Sequence, residues 1–335
     1  MTSPLPPLSR RGLLSAGAAL ALTACARTPE RTPVPGPSPA RVLAPDRPTP
    51  TASATPSPTP TSTDPLPPGP FTALLAGTDT WEDPTTGRPD AILVAQLNAA
   101  RDHLALVSLP RDAWVPIDGG REGKVNSGYH GDVERLTRTV SAVLGGLPIH
   151  ATALTGFTGY TAIVRALGKF HVDNAIGSTF IDPNNGRPSH FAQGRITLTP
   201  EDWLVYARQR KELPRGDLDR TARHRAILLG MLRRVRELAT TDPTALAGLA
   251  AAAAQHVRVT GPVTPDAVLA LTPKLAALGQ DAVSTLMVPV AGFGNRGGQS
   301  VTLLHPDLTP DLAAALASGD VRDYASRTAG DSRTR

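Results

Sequence analysis

Phe71-Thr72-Ala73-Leu74-Leu75-Ala76, closing on Gly77-Thr78-Asp79, is a short apolar run of the kind that forms a buried strand. Two more runs follow, Ala91 to Leu97 and Leu104 to Leu109. A polar turn around Asn98 to His103 separates them, and together they read as a hairpin. Charge brackets every run. Gly77-Thr78-Asp79 follows the first, Arg88-Pro89-Asp90 leads into the second, Pro110-Arg111-Asp112 ends the third, and Lys124-Val125-Asn126 comes next. If the first two runs are antiparallel neighbours, the chain leaves one at Asp79 and enters the other at Asp90, so both carboxylates fall at one sheet edge. Such a pair suits Mg2+, a hard cation that takes oxygen ligands and shares its shell with phosphates. Arg88, Arg111 and Lys124 would then neutralise the same polyanion. Taken singly, Asp79 and Asp112 also read as loop caps, and Arg111 as a surface ion pair of little value.

Toward the C-terminus, Asp132 opens a helix with Val133, Leu136, Val140 and Val143 on one face, closed by Gly145-Gly146. Ile149 to Leu154 reads as a strand. Phe157, Ile163, Val164 and Leu167 mark a second helix, closed by Gly168. Short strands are expected at Val172 and Phe180-Ile181, and Thr199-Pro200-Glu201-Asp202 starts another helix. Later helices are expected near Pro243–Ala254, Pro265–Leu278 and Thr309–Ala317, with strands at Val283–Val290 and Ser300–Leu304. Helices and strands alternating through one domain predict a layered α/β architecture.

Between these elements lies the most basic stretch, Tyr206-Ala207-Arg208-Gln209-Arg210-Lys211, running on to Gly216-Asp217-Leu218-Asp219-Arg220-Thr221-Ala222-Arg223-His224-Arg225. Asp217 or Asp219 can cap a helix there. Arg220, Arg223 and Ile227, at i, i+3 and i+7, share a face of it. Arg208 and Arg210 point the same way if their segment is extended. Two guanidinium pairs can thus converge at a helix amino end, which already favours anions. Each charge-assisted bond to a phosphate contributes roughly 1.5–3 kcal/mol. Read alone, the stretch is equally a solvated basic helix.

Upstream, residues 1–25 read as an export leader: Ser9-Arg10-Arg11-Gly12-Leu13-Leu14 is the charged start, and Leu13 to Ala24 is an apolar run too short to span a membrane. It ends in Leu22-Thr23-Ala24-Cys25, which resembles a lipoprotein lipobox, while the paired arginines resemble a twin-arginine signal. That resemblance implies cleavage before Cys25 and lipid attachment to it. Cys25 is the only cysteine, so no intrachain disulfide or thiolate metal cluster can form. Residues 26–69 are rich in Pro, Thr and Ser and cannot bury enough apolar surface to offset their ordering entropy. They read as a disordered tether reaching at most on the order of 140 Å. The folding domain is expected over residues 70–320, and residues 321–335 as a flexible tail. A net charge of +5 is weak evidence for nucleic acid, and an exported chain does not meet the chromosome.

Gly-Thr-Asp, Arg-Pro-Asp, Ser-Leu-Pro-Arg-Asp (Ser108 to Asp112), Lys-Val-Asn, Tyr-Ala-Arg-Gln-Arg-Lys and Gly-Asp-x-x-Arg-x-x-Arg occur in that order. With the Gly298-Gln299-Ser300-Val301 segment, this resembles the LytR-CpsA-Psr family of bacterial cell-wall enzymes from Phe71 to about Asp320. The resemblance implies a three-layer α-β-α fold around a central mixed sheet that binds a polyprenyl pyrophosphate. It implies transfer of the lipid-linked glycopolymer to peptidoglycan, through a phosphodiester at a muramic acid hydroxyl, in a protein anchored on the outer face of the membrane. By motif, Asp79 and Asp90 would hold Mg2+ or Mn2+. Arg88, Arg111, Lys124, Arg208, Arg210, Arg220, Arg223 and His224 would grip the pyrophosphate. Asp90, Arg111, Asp112 and Arg210 would serve the chemistry, with Asp90 or Asp112 as the base. Phosphoryl transfer asks mainly for positioning and charge neutralisation, which this set can supply. The chain departs from the family at Trp81, where an arginine is common, at Pro89 and Ala91 beside Asp90, and at His224, where a glutamine is common. The alternatives are a polyprenyl pyrophosphatase with water as acceptor and a non-catalytic receptor for anionic wall polymer or lipid.

Overall fold

The computed structural model describes residues 64–181, 186–263, 271, 274–331 and 333–334. The expected leader, Cys25 and most of the tether lie outside these residues, as does most of the helix expected near Pro265–Leu278. Strands β1 (Phe71–Thr78), β2 (Pro89–Leu97) and β3 (Leu104–Ser108) form an antiparallel meander. The β2–β3 turn is tight because Asn98 Oδ1 accepts the backbone N–H groups of Asp102 and His103 at 3.0 and 3.1 Å. A small hairpin follows, β4 (Trp114–Ile117) with β5 (Arg121–Lys124). Its turn signal, Asp118-Gly119-Gly120, is present in the sequence, but the strands on either side are only four residues each and carry Pro116, Glu122 and Gly123.

Helix α1 (Val133–Val143) starts as expected, the Asp132 carboxylate accepting the Arg135 N–H at 3.0 Å. Strand β6 (Ala151–Thr155) runs parallel to β1. Helix α2 (Phe157–Leu167) ends at Gly168, whose φ of 70° a residue with a Cβ would resist. Next come β7 (Phe170–Asn174), β8 (Ser178–Ile181), β9 (Pro188–Phe191) and β10 (Gly194–Leu198), paired as β7 with β10 and β8 with β9. Helices α3 (Trp203–Arg208), α4 (Asp217–Thr241) and α5 (Pro243–His256) lead to β11 (Arg258–Thr260) and β12 (Val283–Met287). The hairpin β13 (Val290–Arg296) and β14 (Gln299–Leu304) precedes α6 (Leu308–Ala317) and α7 (Arg322–Arg327).

The central sheet is mixed, in the order β11-β6-β1-β2-β3-β12, with β1–β6 and β3–β12 parallel and its other pairs antiparallel. Strand side chains alternate between its faces. Leu74, Ala76, Ile92, Val94 and Val107 join Leu136 and Val140 of α1, Leu312 and Leu316 of α6 and Tyr324 of α7 in the main core. The other face, bearing Leu75, Leu93 and Ala153, looks toward α2 and α4 across a cavity. The architecture is therefore the expected three-layer α-β-α. A second core gathers Val164, Phe170, Val172, Leu198, Trp203, Tyr206 and Ile227, fastening α2, α3 and α4 to the β7–β10 hairpin.

Four local expectations change. Residues 64–69, expected within the disordered tether, belong to the domain: Leu66 is buried, and Asp64 pairs with Arg101 at 2.9 Å. Neither Asp217 nor Asp219 is the N-cap of α4. Gly216 holds that position, Asp217 is the first helical residue, and Asp219 reaches back to accept from the backbone N and Nε of Arg215, both at 2.7 Å. Helix α6 begins before Thr309, because His305 Nδ1 accepts the N–H groups of Asp307 and Leu308 at 3.3 Å each and so supplies the start. Residues beyond 320, expected as a loose tail, are part of the domain. Val321, Tyr324 and Thr334 are buried, and the Met287 and Val290 N–H groups donate to the carbonyls of Thr334 (2.8 Å) and Arg333 (3.1 Å). Among the described residues no helix is long and apolar enough to cross a membrane.

Candidate active site

At the ends of β1, β2 and β3, where α4 begins, charged groups from four distant parts of the sequence meet. Asp90, at the start of β2, accepts from Arg111 through Oδ1 and from Arg220 Nη1 through Oδ2, the latter at 3.0 Å. Arg220 Nη2 also lies 2.6 Å from Asp217 Oδ1, and Arg111 Nε lies 3.6 Å from the same oxygen and 3.8 Å from Asp112 Oδ2. Lys124, at the end of β5, closes the chain of ion pairs at 3.0 Å from Asp112 Oδ1. The β-sheet fixes Asp90, the turn after β3 fixes Arg111 and Asp112, and the first turn of α4 fixes Asp217 and Arg220.

The carboxylates of this cluster are unequal. Burial raises the proton affinity of Asp90, but Arg220 and Arg111 more than offset it, and the group sits below its ordinary range. Asp217 goes the other way: burial pushes it up further than Arg220 and Arg111 pull it down, and Asp112 and Asp90 add to the rise. Both Asp217 oxygens are shut off from solvent, and neither has a partner in hydrogen-bond geometry among the described residues. Arg111 is held above its ordinary range, since the bond to Asp90 and the charges of Asp90, Asp217 and Asp112 outweigh the burial that opposes it. The expectation named Asp217 only as a cap. Its position as the acidic residue one helical turn before Arg220 was the available signal for more.

Not all of the expected residues join the cluster. Asp79 is at the same sheet edge as Asp90, as the antiparallel β1–β2 pairing requires, but it is exposed and Oδ1 accepts the Arg88 N–H at 2.7 Å. Arg88 and Arg210 are exposed, with side chains facing solvent. Arg208, at the end of α3, places its guanidinium 5.0 Å from the centre of the Phe157 ring. Arg223 does not join the carboxylates that hold Arg220, despite lying three residues on. It donates to Gln209 Oε1 (2.8 Å), Ser178 Oγ (2.6 Å) and the Ile176 carbonyl (3.2 Å), and lies over the Tyr206 ring at 4.3 Å. Among the described residues no group of three or more His, Cys, Asp or Glu side chains is arranged to hold a metal ion unaided.

The cluster borders one end of an apolar cavity of about 240 Å³. Asp90, Arg208, Arg220 and His224 stand at its polar end, while Leu75, Leu93, Tyr160, Ile163, Trp203 and Met231 line the rest. His224 Nε2 lies 3.0 Å from the Ala207 carbonyl oxygen, which can only accept, so that nitrogen carries the proton. Burial, then the charge of Arg220, pushes the ring down to about 4, so it is neutral near pH 7. A long, weakly polar chain bearing an anionic head fits this shape: the chain in the cavity, the head against Arg220, Arg111 and Arg208.

Comparison with known proteins points the same way. A family model described as the LytR_cpsA_psr family matches residues 46–309. The polyisoprenyl-teichoic acid–peptidoglycan teichoic acid transferase TagU of Bacillus cereus (strain AH820) is 35% identical over 167 residues, which cover 49% of this chain and 52% of that protein. The chain spans about half the length of the curated relatives it matches. The crystal structure of B. subtilis TagV superposes with a TM-score of 0.64 at 22% identity, over 77% of this chain and 99% of that one. A structure of TagT bound to LI-WTA gives 0.58 at 21%, over 75% and 90%. The solved structures establish a shared fold.

Proposed function

Because the chain belongs to the LytR_cpsA_psr family, we propose that it transfers a glycopolymer from a polyprenyl-pyrophosphate carrier to peptidoglycan, forming a phosphodiester at a muramic acid hydroxyl. The observation that carries this reading is the apolar cavity ending at the cations of Arg220 and Arg208. It suits the first isoprene units of a carrier whose pyrophosphate lies against the charge cluster. The acceptor hydroxyl oxygen attacks the phosphorus that bears the glycopolymer. The new O–P bond forms as the bond to the polyprenyl phosphate breaks, and the hydroxyl proton passes to a carboxylate. Arg111 and Arg220 neutralise charge on the departing phosphate. Asp90, held below its ordinary range by both guanidinium groups, is a poor base. Asp217, pushed up by burial, is better poised to take the proton, and Asp112 is the alternative.

The residues fit a divalent cation that arrives with its substrate. Mg2+ is typically bound through one or two carboxylates plus substrate phosphates, and the β1–β2 pairing brings Asp79 and Asp90 to one sheet edge beside the arginines. Asp90 and Asp79 would hold Mg2+ or Mn2+, with Asp217 as a third anionic neighbour, and the ion would supply charge neutralisation to the pyrophosphate. A leader ending at a lipidated Cys25 would place the domain outside the cell, tethered to the membrane beside its lipid substrate. The decisive experiment supplies lipid-linked polymer and peptidoglycan, and follows both polyprenyl phosphate and joined product. Joined product made by the native chain and abolished by Arg111→Ala supports the transfer. Phosphate release without joining favours the pyrophosphatase, and binding without turnover favours a receptor.

A further inference from the structure

Trp81 is a large apolar side chain that solvent reaches: 54% of its surface is exposed, in the loop between β1 and β2. Its ring leans on Phe157, with centroids 5.4 Å apart and planes at 57°, and the Arg208 guanidinium lies 5.0 Å from the centre of the same Phe157 ring. Phe157 and Arg208 both line the apolar cavity, so Trp81 stands at its rim beside the candidate anion site. We infer that Trp81 is the platform on which the first pyranose ring of the glycopolymer stacks, a role that rests on the transferase reading above.

The loop is built to hold the ring still. Thr158 Oγ1 donates to the Trp81 carbonyl at 2.5 Å, the Phe157 N–H donates to the Thr80 carbonyl at 2.8 Å, and the Glu82 N–H donates to Thr80 Oγ1 at 3.1 Å. A Cβ at Gly156 would lie 2.7 Å from the Thr80 carbonyl oxygen, so loop and helix approach as closely as glycine permits. An exposed aromatic ring on a fixed backbone loses little entropy on binding. Its negative face attracts the polarised C–H groups of a sugar ring. The adjoining Glu82 is exposed and can accept sugar hydroxyls. The same neighbourhood argues against a membrane anchor. Trp81 sits within Asp79-Thr80-Trp81-Glu82-Asp83; Asp83 is paired with Arg258, but the exposed Asp79 and Glu82 oppose an anionic lipid surface while leaving a neutral sugar unaffected.

Binding of farnesyl diphosphate, and of the same diphosphate carrying one N-acetylglucosamine, is measured calorimetrically for the native chain, Trp81→Ala and Trp81→Phe. The sugar is expected to tighten binding to the native chain by about tenfold. Trp81→Ala loses that gain, Trp81→Phe keeps most of it, and farnesyl diphosphate alone binds all three within about twofold. A gain that survives in Trp81→Ala, or equal weakening of both probes, overturns the inference. So does a blue shift of tryptophan emission on phosphatidylglycerol vesicles, without either probe, that Trp81→Phe abolishes. If farnesyl diphosphate fails to bind the native chain, the transferase reading falls and takes the platform with it. If it binds and the sugar adds nothing, the platform alone falls.

Discussion

On one side of α4, Arg220 faces Asp90 and Asp217 at the polar end of the cavity. On the other, Arg223 bonds the Gln209 amide oxygen, the Ser178 hydroxyl and the Ile176 carbonyl, with the Tyr206 ring against its plane. Both side chains are buried, and both come from one basic run. The difference lies in what surrounds them. A guanidinium held by carboxylates occupies a place where phosphate oxygens can compete for the same donors. A guanidinium held by neutral acceptors and a ring is a structural tie, here joining β8 to α3 and α4. Arg225 belongs with the second kind: it donates to Ser108 Oγ, and burial, with the nearby charge of Arg215, lowers it to about 10.

The largest expected effect tests the first side. Arg220→Ala should lower turnover by about 10³-fold, because a pre-placed donor to developing charge is gone. It should also destabilise the fold by about 4 kcal/mol, since Asp90 and Asp217 lose a buried partner. Arg220→Lys keeps the charge without the planar fork, and only partial recovery of turnover is expected. Arg223→Met is the counterpart. Denaturant unfolding should show a loss of about 3 kcal/mol, since three buried or half-buried acceptors lose their charged donor, while turnover per folded molecule stays near native. Lost turnover at full stability would dissolve the distinction between the two sides.

His224 sharpens it through pH. An unfolded histidine binds its proton near 6.5 and the folded one near 4, so the unfolded state binds more protons between those values. Stability should therefore be fully present above pH 6.5 and fall as pH drops toward 4, by up to about 3 kcal/mol. His224→Gln should flatten that slope, which thermal melts across the window would reveal. Arg210→Ala should have the smallest effect. Its side chain is exposed, so the melting temperature should hold within about 1 °C. Pyrophosphate-lipid affinity should weaken by about tenfold if the arginine closes onto the headgroup. No change in affinity would remove Arg210 from the site.

Strand positions, the Asn98–His103 turn, the Asp132 cap and the Gly168 stop were legible because each depends on residues a few positions apart. The meander was legible as well, and with it the placing of Asp79 and Asp90 at one edge, since antiparallel neighbours share an end. The β4–β5 hairpin was missed despite its Asp118-Gly119-Gly120 turn, because Val115 and Ile117 are too short an alternation and β5 carries no large apolar side chain. Nor was the packing of residues 321–334, whose partners Met287 and Val290 are more than thirty positions upstream.

Local sequence determined the layered architecture, the motif order and the family, because apolar periodicity, turn chemistry and motif spacing are written along the chain. Tertiary structure alone decided which arginine meets which carboxylate. Arg220 and Arg223 lie on nearly the same face by helical arithmetic. Even so, a side chain about 7 Å long can turn to either flank of its helix. Asp90 and Arg111 on the sheet draw Arg220 one way, and Gln209 and Tyr206 draw Arg223 the other. Those partners are set by how the layers pack, and no spacing within the run contains that information.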